Sequence, residues 1–211
     1  MTRVKICGIT RPEDAQTAAE AGVWAIGLNF CGRSPRFVTV SRALRIVAAL
    51  RGKVLRVGVF MDQSLSEIRR IEGQVPLDII QLHGSEPSEL CRALGPDRCM
   101  KAVVLNSGAD VGQALDIPAA FLLADRARSG PVAGAAPGTA DWELAGQLAR
   151  RRTRTILAGG LTPENVAGAL RAAGPWGVDV AGGVESAPGK KDPERLRAFI
   201  NAVQQFDGES R

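Results

Sequence analysis

Two glycine pairs, Gly159-Gly160 and Gly182-Gly183, are the first residues whose type and spacing point to a chemistry. Glycine lets backbone N–H groups come close to an anion, and a helix start beyond the turn adds a favourable dipole. One such pair is an ordinary turn. Two, each following a short apolar run, fit a phosphate-bearing small molecule. Other reactive side chains occupy comparable places: Cys7 before Gly8, Arg36 in Ser34-Pro35-Arg36, His83 in Gln81-Leu82-His83-Gly84, Asp125 and Asp179. Each has a plainer role available. Cys7 could simply pack at a strand end. Arg36 and Asp125 could be solvated charges, Asp125 beside Arg126 or Arg128. His83 could orient backbone or bind a ligand. Zinc needs clustered soft ligands, whereas Cys7, Cys31, Cys91 and Cys99 form no CxxC pair and accompany one histidine, so no metal is expected. At least three of these cysteines read as packing residues.

The elements that must carry these groups alternate in type. Short apolar runs read as strands over Val4–Cys7, Ala25–Phe30, Leu55–Phe60, Ile79–Leu82, Cys99–Val104, Phe121–Ala124, Thr155–Ala158 and Gly177–Val180. Near-continuous apolar character is what parallel strands covered on both faces require. Amphipathic stretches between them read as helices: Glu13–Ala21, Ser41–Leu50, Ser64–Gln74, Glu86–Leu94, Asp141–Arg150, Thr162–Ala173 and Pro193–Gln205, with a short one around Asp110–Leu115. Thr10-Arg11-Pro12-Glu13 has capping-box spacing, and Thr162-Pro163 and Asp192-Pro193 set a capping side chain before a first-turn proline. Gly22, Gly95 and Gly174 stand where helices need a left-handed stop. Gly8-Ile9-Thr10-Arg11-Pro12-Glu13 is echoed by Gly160-Leu161-Thr162-Pro163-Glu164, as a repeated strand–helix unit predicts.

Eight units leave about 26 residues each, enough for an α/β fold of the (β/α)8 TIM barrel type, expected as a single domain over residues 1–211. A doubly wound open sheet also alternates strand and helix, but GxGxxG is absent after the first strand. Barrel active sites lie at the C-terminal strand ends. There the chain places Cys7-Gly8, Asn29, Phe60-Met61-Asp62, His83, Lys101, Asp125, Gly159-Gly160 and Asp179 with Gly182-Gly183.

Composition narrows the partners. Hydrophobic residues at 45% and charged ones at 23% are globular proportions, which exclude wholesale disorder. No apolar stretch reaches membrane-spanning length, and the first residues lack a signal-peptide core, so a cytoplasmic protein without a membrane partner is expected. The net charge of +5 is dispersed, and 4% aromatics with no tyrosine offer little for base stacking; no nucleic-acid partner is expected. A monomer or weak homodimer is the expected state.

Taken together, Lys5-Ile6-Cys7-Gly8-Ile9-Thr10, Ser34-Pro35-Arg36, Val57-Gly58-Val59-Phe60, Gln81-Leu82-His83-Gly84, Ala158-Gly159-Gly160-Leu161, Val178-Asp179-Val180, Gly183-Val184-Glu185 and Gly189-Lys190-Lys191-Asp192 form an ordered pattern. The pattern resembles the phosphoribosylanthranilate isomerase family over almost the whole chain. The resemblance implies a cofactor-free Amadori rearrangement in tryptophan biosynthesis, from N-(5-phosphoribosyl)anthranilate to the 1-deoxyribulose 5-phosphate derivative. It assigns the base that removes the C2 proton to Cys7 and the acid that protonates the ring oxygen to Asp125. It implies that Arg36 binds the anthranilate carboxylate and that the glycine pairs bind phosphate, with His83 and Asp179 also at the substrate.

Physical chemistry attaches conditions to these roles. A thiolate base needs nearby positive charge or a helix dipole to lower its pKa. A carboxyl acid must stay protonated through burial or a neighbouring carboxylate, for which Asp179 is the expected neighbour of Asp125. Three places depart from the family. Gly134-Ala135-Ala136-Pro137 replaces a Gly-Gly-Thr-Gly loop, and Ala181-Gly182-Gly183 replaces Ser-Ser-Gly. Leu122-Leu123-Ala124-Asp125 replaces Leu-Leu-Asp, which leaves the alignment of Asp125 open by one residue. Another sugar-phosphate isomerase or epimerase, or a non-catalytic phosphate-binding barrel, is the alternative reading.

Overall fold

The computed structural model describes residues 1–50, 54–125 and 139–209. Eight parallel strands close into one ring in chain order: β1 (Arg3–Ile6), β2 (Ala25–Asn29), β3 (Leu55–Phe60), β4 (Ile79–Leu82), β5 (Cys99–Val104), β6 (Phe121–Asp125), β7 (Thr155–Leu157) and β8 (Gly177–Val180). The seam is made by β1 and β8, with Arg3, Val4, Lys5 and Ile6 opposite Gly177, Val178, Asp179 and Val180. Between and after them run α1 (Pro12–Glu20), α2 (Val40–Ala49), α3 (Leu65–Glu72), α4 (Ser88–Leu94), α5 (Gly108–Leu115), α6 (Thr139–Arg151), α7 (Val166–Ala173) and α8 (Pro193–Glu209). A small hairpin, β9 (Glu185–Ala187) with β10 (Lys190–Lys191), sits between β8 and α8.

The strand pleat sorts side chains into two cores. One face, including Ile26, Leu28, Ile80, Leu82 and Leu122, packs under the helices. The other fills the ring with Ala25, Val57, Val59, Ile79, Met100, Phe121, Leu123 and Ile156. At the N-terminal end of the ring Trp24, Trp176 and Phe121 plug the bore, with ring centroids 5.0 to 5.6 Å apart. Burial of such apolar surface is the main stabilising term, and the aromatic contacts add to it.

Several helix starts follow local chemistry. Ser64 and Glu67 make a reciprocal capping box on α3, Thr39 caps α2, Ser107 caps α5, and the Asp192 carboxylate accepts from the Glu194 and Arg195 amides. Gly22, Gly95 and Gly174 all have positive φ after helices. Two expected caps are absent. The N-cap of α1 is Arg11 without a side-chain bond, because the Thr10 hydroxyl instead donates to the Gly189 carbonyl across the mouth. α7 starts at Val166 rather than Thr162; Asn165 accepts from the Thr162 amide and donates to the Gly160 carbonyl, bracing the glycine turn. Arg126, Arg128 and the Gly134-Ala135-Ala136-Pro137 loop lie outside the described residues.

Candidate active site

Side chains two apart on a strand share a face. Ile79 points into the ring, so Gln81 and then His83 follow it toward the C-terminal mouth. Phe121 and Leu123 lead in the same way to Asp125, and Lys5 leads to Cys7 just past β1. Asp125 thus terminates β6 on the inner face and lines the mouth. The mouth is a cavity of about 420 Å³. Cys7, Arg36, His83, Asp125, Gly159, Gly160, Asp179, Gly182 and Gly183 all line it, so every expected site residue meets in one place. Asn29, Cys31, Val59, Met61 and Leu161 add polar and apolar wall.

Among the strand-end residues Gly8, Phe60, Asp62 and Lys101 do not line the cavity, and the two charged ones are engaged elsewhere. Met100 faces inward, so the next residue, Lys101, projects to the other face and donates to Glu86 at 2.8 Å and to the Gly84 carbonyl at 2.6 Å. Asp62 accepts from the Ser85 amide, and its own amide donates to Glu86. Neither lines the cavity.

Charge in the mouth is arranged in pairs. Asp179 accepts from Lys5 at 2.9 Å, and Lys5 has no exposed surface. The expected neighbour of Asp125 is therefore corrected. The Asp179 carboxylate is held by a buried ammonium, and among the described residues His83 stands against Asp125, with Nε2 2.9 Å from Oδ2. His83 Nδ1 lies 2.8 Å from the amide nitrogen of Gln81. Arg36 donates from Nε and Nη2 to both oxygens of Glu185, at 2.8 and 2.6 Å. One fork of its guanidinium is thus occupied, while the Nη1–Nη2 edge keeps donors for a second carboxylate. Lys191 donates to Glu185 and to the Ala181 carbonyl, tying the hairpin to the β8 loop.

These pairings shift the acids and bases. Burial pushes the Cys7 thiol up; Lys5 and Lys191 pull it down without cancelling that effect, and Asp179 reinforces it. The expectation of a lowered cysteine is therefore not met, because desolvation outweighs the two lysines. Burial opposes the charge on Lys5, yet Asp179 and Cys7 beside it raise the ammonium above its ordinary value. Lys191 is lowered by burial in spite of Glu185. Glu185 is itself disfavoured by burial, but the Arg36 and Lys191 hydrogen bonds hold it below the usual carboxylate range.

The glycine turns meet each other closely. Gly159 and Gly160 have φ of 82° and 71°, a conformation that costs glycine little. A Cβ on Gly183 would stand 1.9 Å from the Leu161 carbonyl oxygen, so only glycine allows the β8 turn to approach the β7 turn. Gly182–Val184 form a single 3₁₀ turn whose first N–H groups have no acceptor within the turn.

Sequence reasoning missed Lys5, Gln81, Asn165, Glu185 and Lys191 as parts of this site. The signal for Lys5 was its position: a lysine two residues before Cys7 in a buried strand must share the inner face. Nothing local marks Glu185, whose partner Arg36 lies 149 residues away; Lys191 joins it from the other strand of the same hairpin.

A closed (β/α)8 barrel whose mouth joins acid, thiol and guanidinium to two glycine turns defines an enzyme built for a small phosphorylated substrate. Residues 4–202 match the family model described as N-(5'phosphoribosyl)anthranilate (PRA) isomerase. The chain belongs to the N-(5'-phosphoribosyl)anthranilate isomerase family. It is 46% identical over 205 residues to the enzyme of that name from Pseudomonas aeruginosa, covering 96% of this chain and 95% of the relative. The enzyme from Syntrophus aciditrophicus is 41% identical over 208 residues, covering 99% and 90%. Phosphoribosyl anthranilate isomerase from Thermotoga maritima superposes with a TM-score of 0.87 at 39% identity, covering 97% of this chain and all of the other. A solved structure of a phosphoribosyl anthranilate isomerase in complex with reduced 1-(o-carboxyphenylamino)-1-deoxyribulose 5-phosphate gives a TM-score of 0.85 at 37% identity, with the same coverage.

Proposed function

We propose that Cys7 and Asp125 carry the family's isomerisation in this chain, as base and acid on one substrate. The activity is that of an aldose–ketose isomerase of tryptophan biosynthesis. Asp125 gives a proton to the ribose ring oxygen as the C1–O bond breaks, which opens the ring and leaves an iminium at C1. The Cys7 thiolate then takes the proton from C2, and the electron pair forms the C1–C2 double bond of an enolamine. Ketonisation returns a proton to C1 and leaves the carbonyl at C2. Hydrogen moves within one molecule and no electrons are gained or lost overall, so the steps call for no cofactor.

Arg36 holds the anthranilate carboxylate with its remaining edge, and the Glu185 pairing fixes the direction in which that edge points. The phosphate lies between Gly159-Gly160 and Gly182-Gly183, two glycine turns that approach each other at the mouth. His83 and Asp179 complete the substrate contacts. The observation that carries this reading is that all nine residues line a single cavity. Among the described residues no helix is long and apolar enough to cross a membrane. A cytoplasmic monomer or weak homodimer, folded as one domain over residues 1–211, completes the proposal.

The test is turnover of freshly made phosphoribosylanthranilate without added cofactor, followed by loss of its fluorescence. Turnover that disappears in both Cys7→Ser and Asp125→Asn is the expected result. Folded protein that binds substrate without turnover would make it a phosphate-binding barrel instead.

A further inference from the structure

Gln81 sits on β4 with no exposed surface, two residues before His83 and on the same inner face. Its amide nitrogen is 2.8 Å from His83 Nδ1, and His83 Nε2 is 2.9 Å from Asp125 Oδ2. An amide nitrogen only donates, so Nδ1 must accept, and the ring proton must then reside on Nε2. The other end of the same amide, Oε1, is buried and has no hydrogen-bond partner among the described residues. Turned over, the amide would offer Oε1 to Nδ1 and demand the opposite tautomer. As it stands, the amide bonds His83 Nδ1, and its own buried carbonyl has no partner among the described residues, an exception that calls for a reason.

We propose that Gln81 is a positioning residue that fixes the tautomer of His83, so that Asp125 always faces an N–H and never a bare ring nitrogen. For its effect on rate this rests on the role of Asp125 given above; for the tautomer itself it does not. When Asp125 gives up its proton, negative charge develops on its carboxyl group. A donor already aimed at Oδ2 stabilises that charge without rearrangement. The opposite tautomer would set a nitrogen lone pair against the carboxylate oxygen at the same distance.

His83 is the single histidine of the chain, so its ring nitrogens are read without assignment ambiguity in a ¹⁵N NMR spectrum. The folded wild-type protein at neutral pH should show a protonated Nε2 and an unprotonated Nδ1. A proton on Nδ1, alone or together with Nε2, overturns the proposal. Gln81→Met keeps length and bulk while removing the donor. It should give a mixture of tautomers, with kcat lower by about ten-fold and KM within about two-fold of wild type, as for a lost transition-state interaction. A Gln81→Met protein with the wild-type tautomer and wild-type kcat also overturns it. Should that variant fail to fold, the wild-type spectrum alone decides. A wild-type enzyme without turnover would count against the proposed function, while its spectrum would still decide the tautomer.

Discussion

Lys5 and Asp179 stand opposite each other across the β1–β8 seam and are joined there by a 2.9 Å ion pair inside the ring. Both are buried, at 0% and 7% exposure, so the pair replaces water around each charge and sits directly beneath Cys7. Removing one partner of such a pair strands the other charge. Lys5→Met is expected to lower stability by about 3–5 kcal/mol. The double variant K5M/D179N removes both charges and should recover part of that loss. Denaturant midpoints of the three proteins check this; equal midpoints for wild type and K5M would show that the pair contributes nothing.

Cys7 feels two lysines and is still pushed up by burial. A thiol with a raised pKa is rarely ionised near neutrality, but each thiolate that forms is a stronger base. Alkylation of Cys7 by iodoacetamide, followed peptide by peptide, should reach half of its plateau rate only above pH 9.0, the ordinary thiol value. Half-maximal reactivity near neutrality would mean that the lysines outweigh desolvation. Cys7→Ser should fold normally and lose at least about 10²-fold in turnover, since a hydroxyl is a far poorer base.

Arg36 and Glu185 divide binding from stability. Arg36→Met should raise KM by about ten-fold or more with a smaller fall in kcat, because a charge-assisted contact made before and during reaction is lost. Glu185 has a folded-state pKa below the ordinary 4.5. Its contribution to stability is therefore present above that value and disappears as pH falls through the lower, folded-state value. Glu185→Gln should flatten the acid side of the stability profile below pH 4.5. Thermal midpoints measured across the acid range, for wild type and variant together, check the sign.

Asp125→Asn keeps shape while removing the proton that ring opening needs. The expected result is a fall in kcat of about 10²-fold or more with KM little changed. Near-normal kcat would send the search for the acid to Asp179, the other carboxylate that lines the cavity among the described residues.

What the sequence determined by itself was the set of strands, their parity and the residues at their ends. Alternation of apolar and functional side chains in Phe121-Leu122-Leu123-Ala124-Asp125 and in Ile79-Ile80-Gln81-Leu82-His83 is a local property. Once the strands form, the pleat aims Asp125 and His83 at one mouth. The same holds for the capping box of Ser64 and Glu67, whose partners are three residues apart. Only the tertiary structure decided which charges pair. Lys5 meets Asp179 from 174 residues away, Arg36 meets Glu185 from 149, and His83 meets Asp125 from 42. Thr10 illustrates the competition. Its hydroxyl has capping-box spacing within its own helix start, yet it bonds to Gly189, 179 residues distant. Local patterning sets what a side chain is able to bond. Closure of the ring at β1 and β8, which buries Lys5 and Asp179 and sets the half-buried Cys7 beside them, decides the partner and hence the direction of the Lys5 and Cys7 pKa shifts. No spacing rule carries that information, because burial and charge proximity exist only after the two ends of the chain have met.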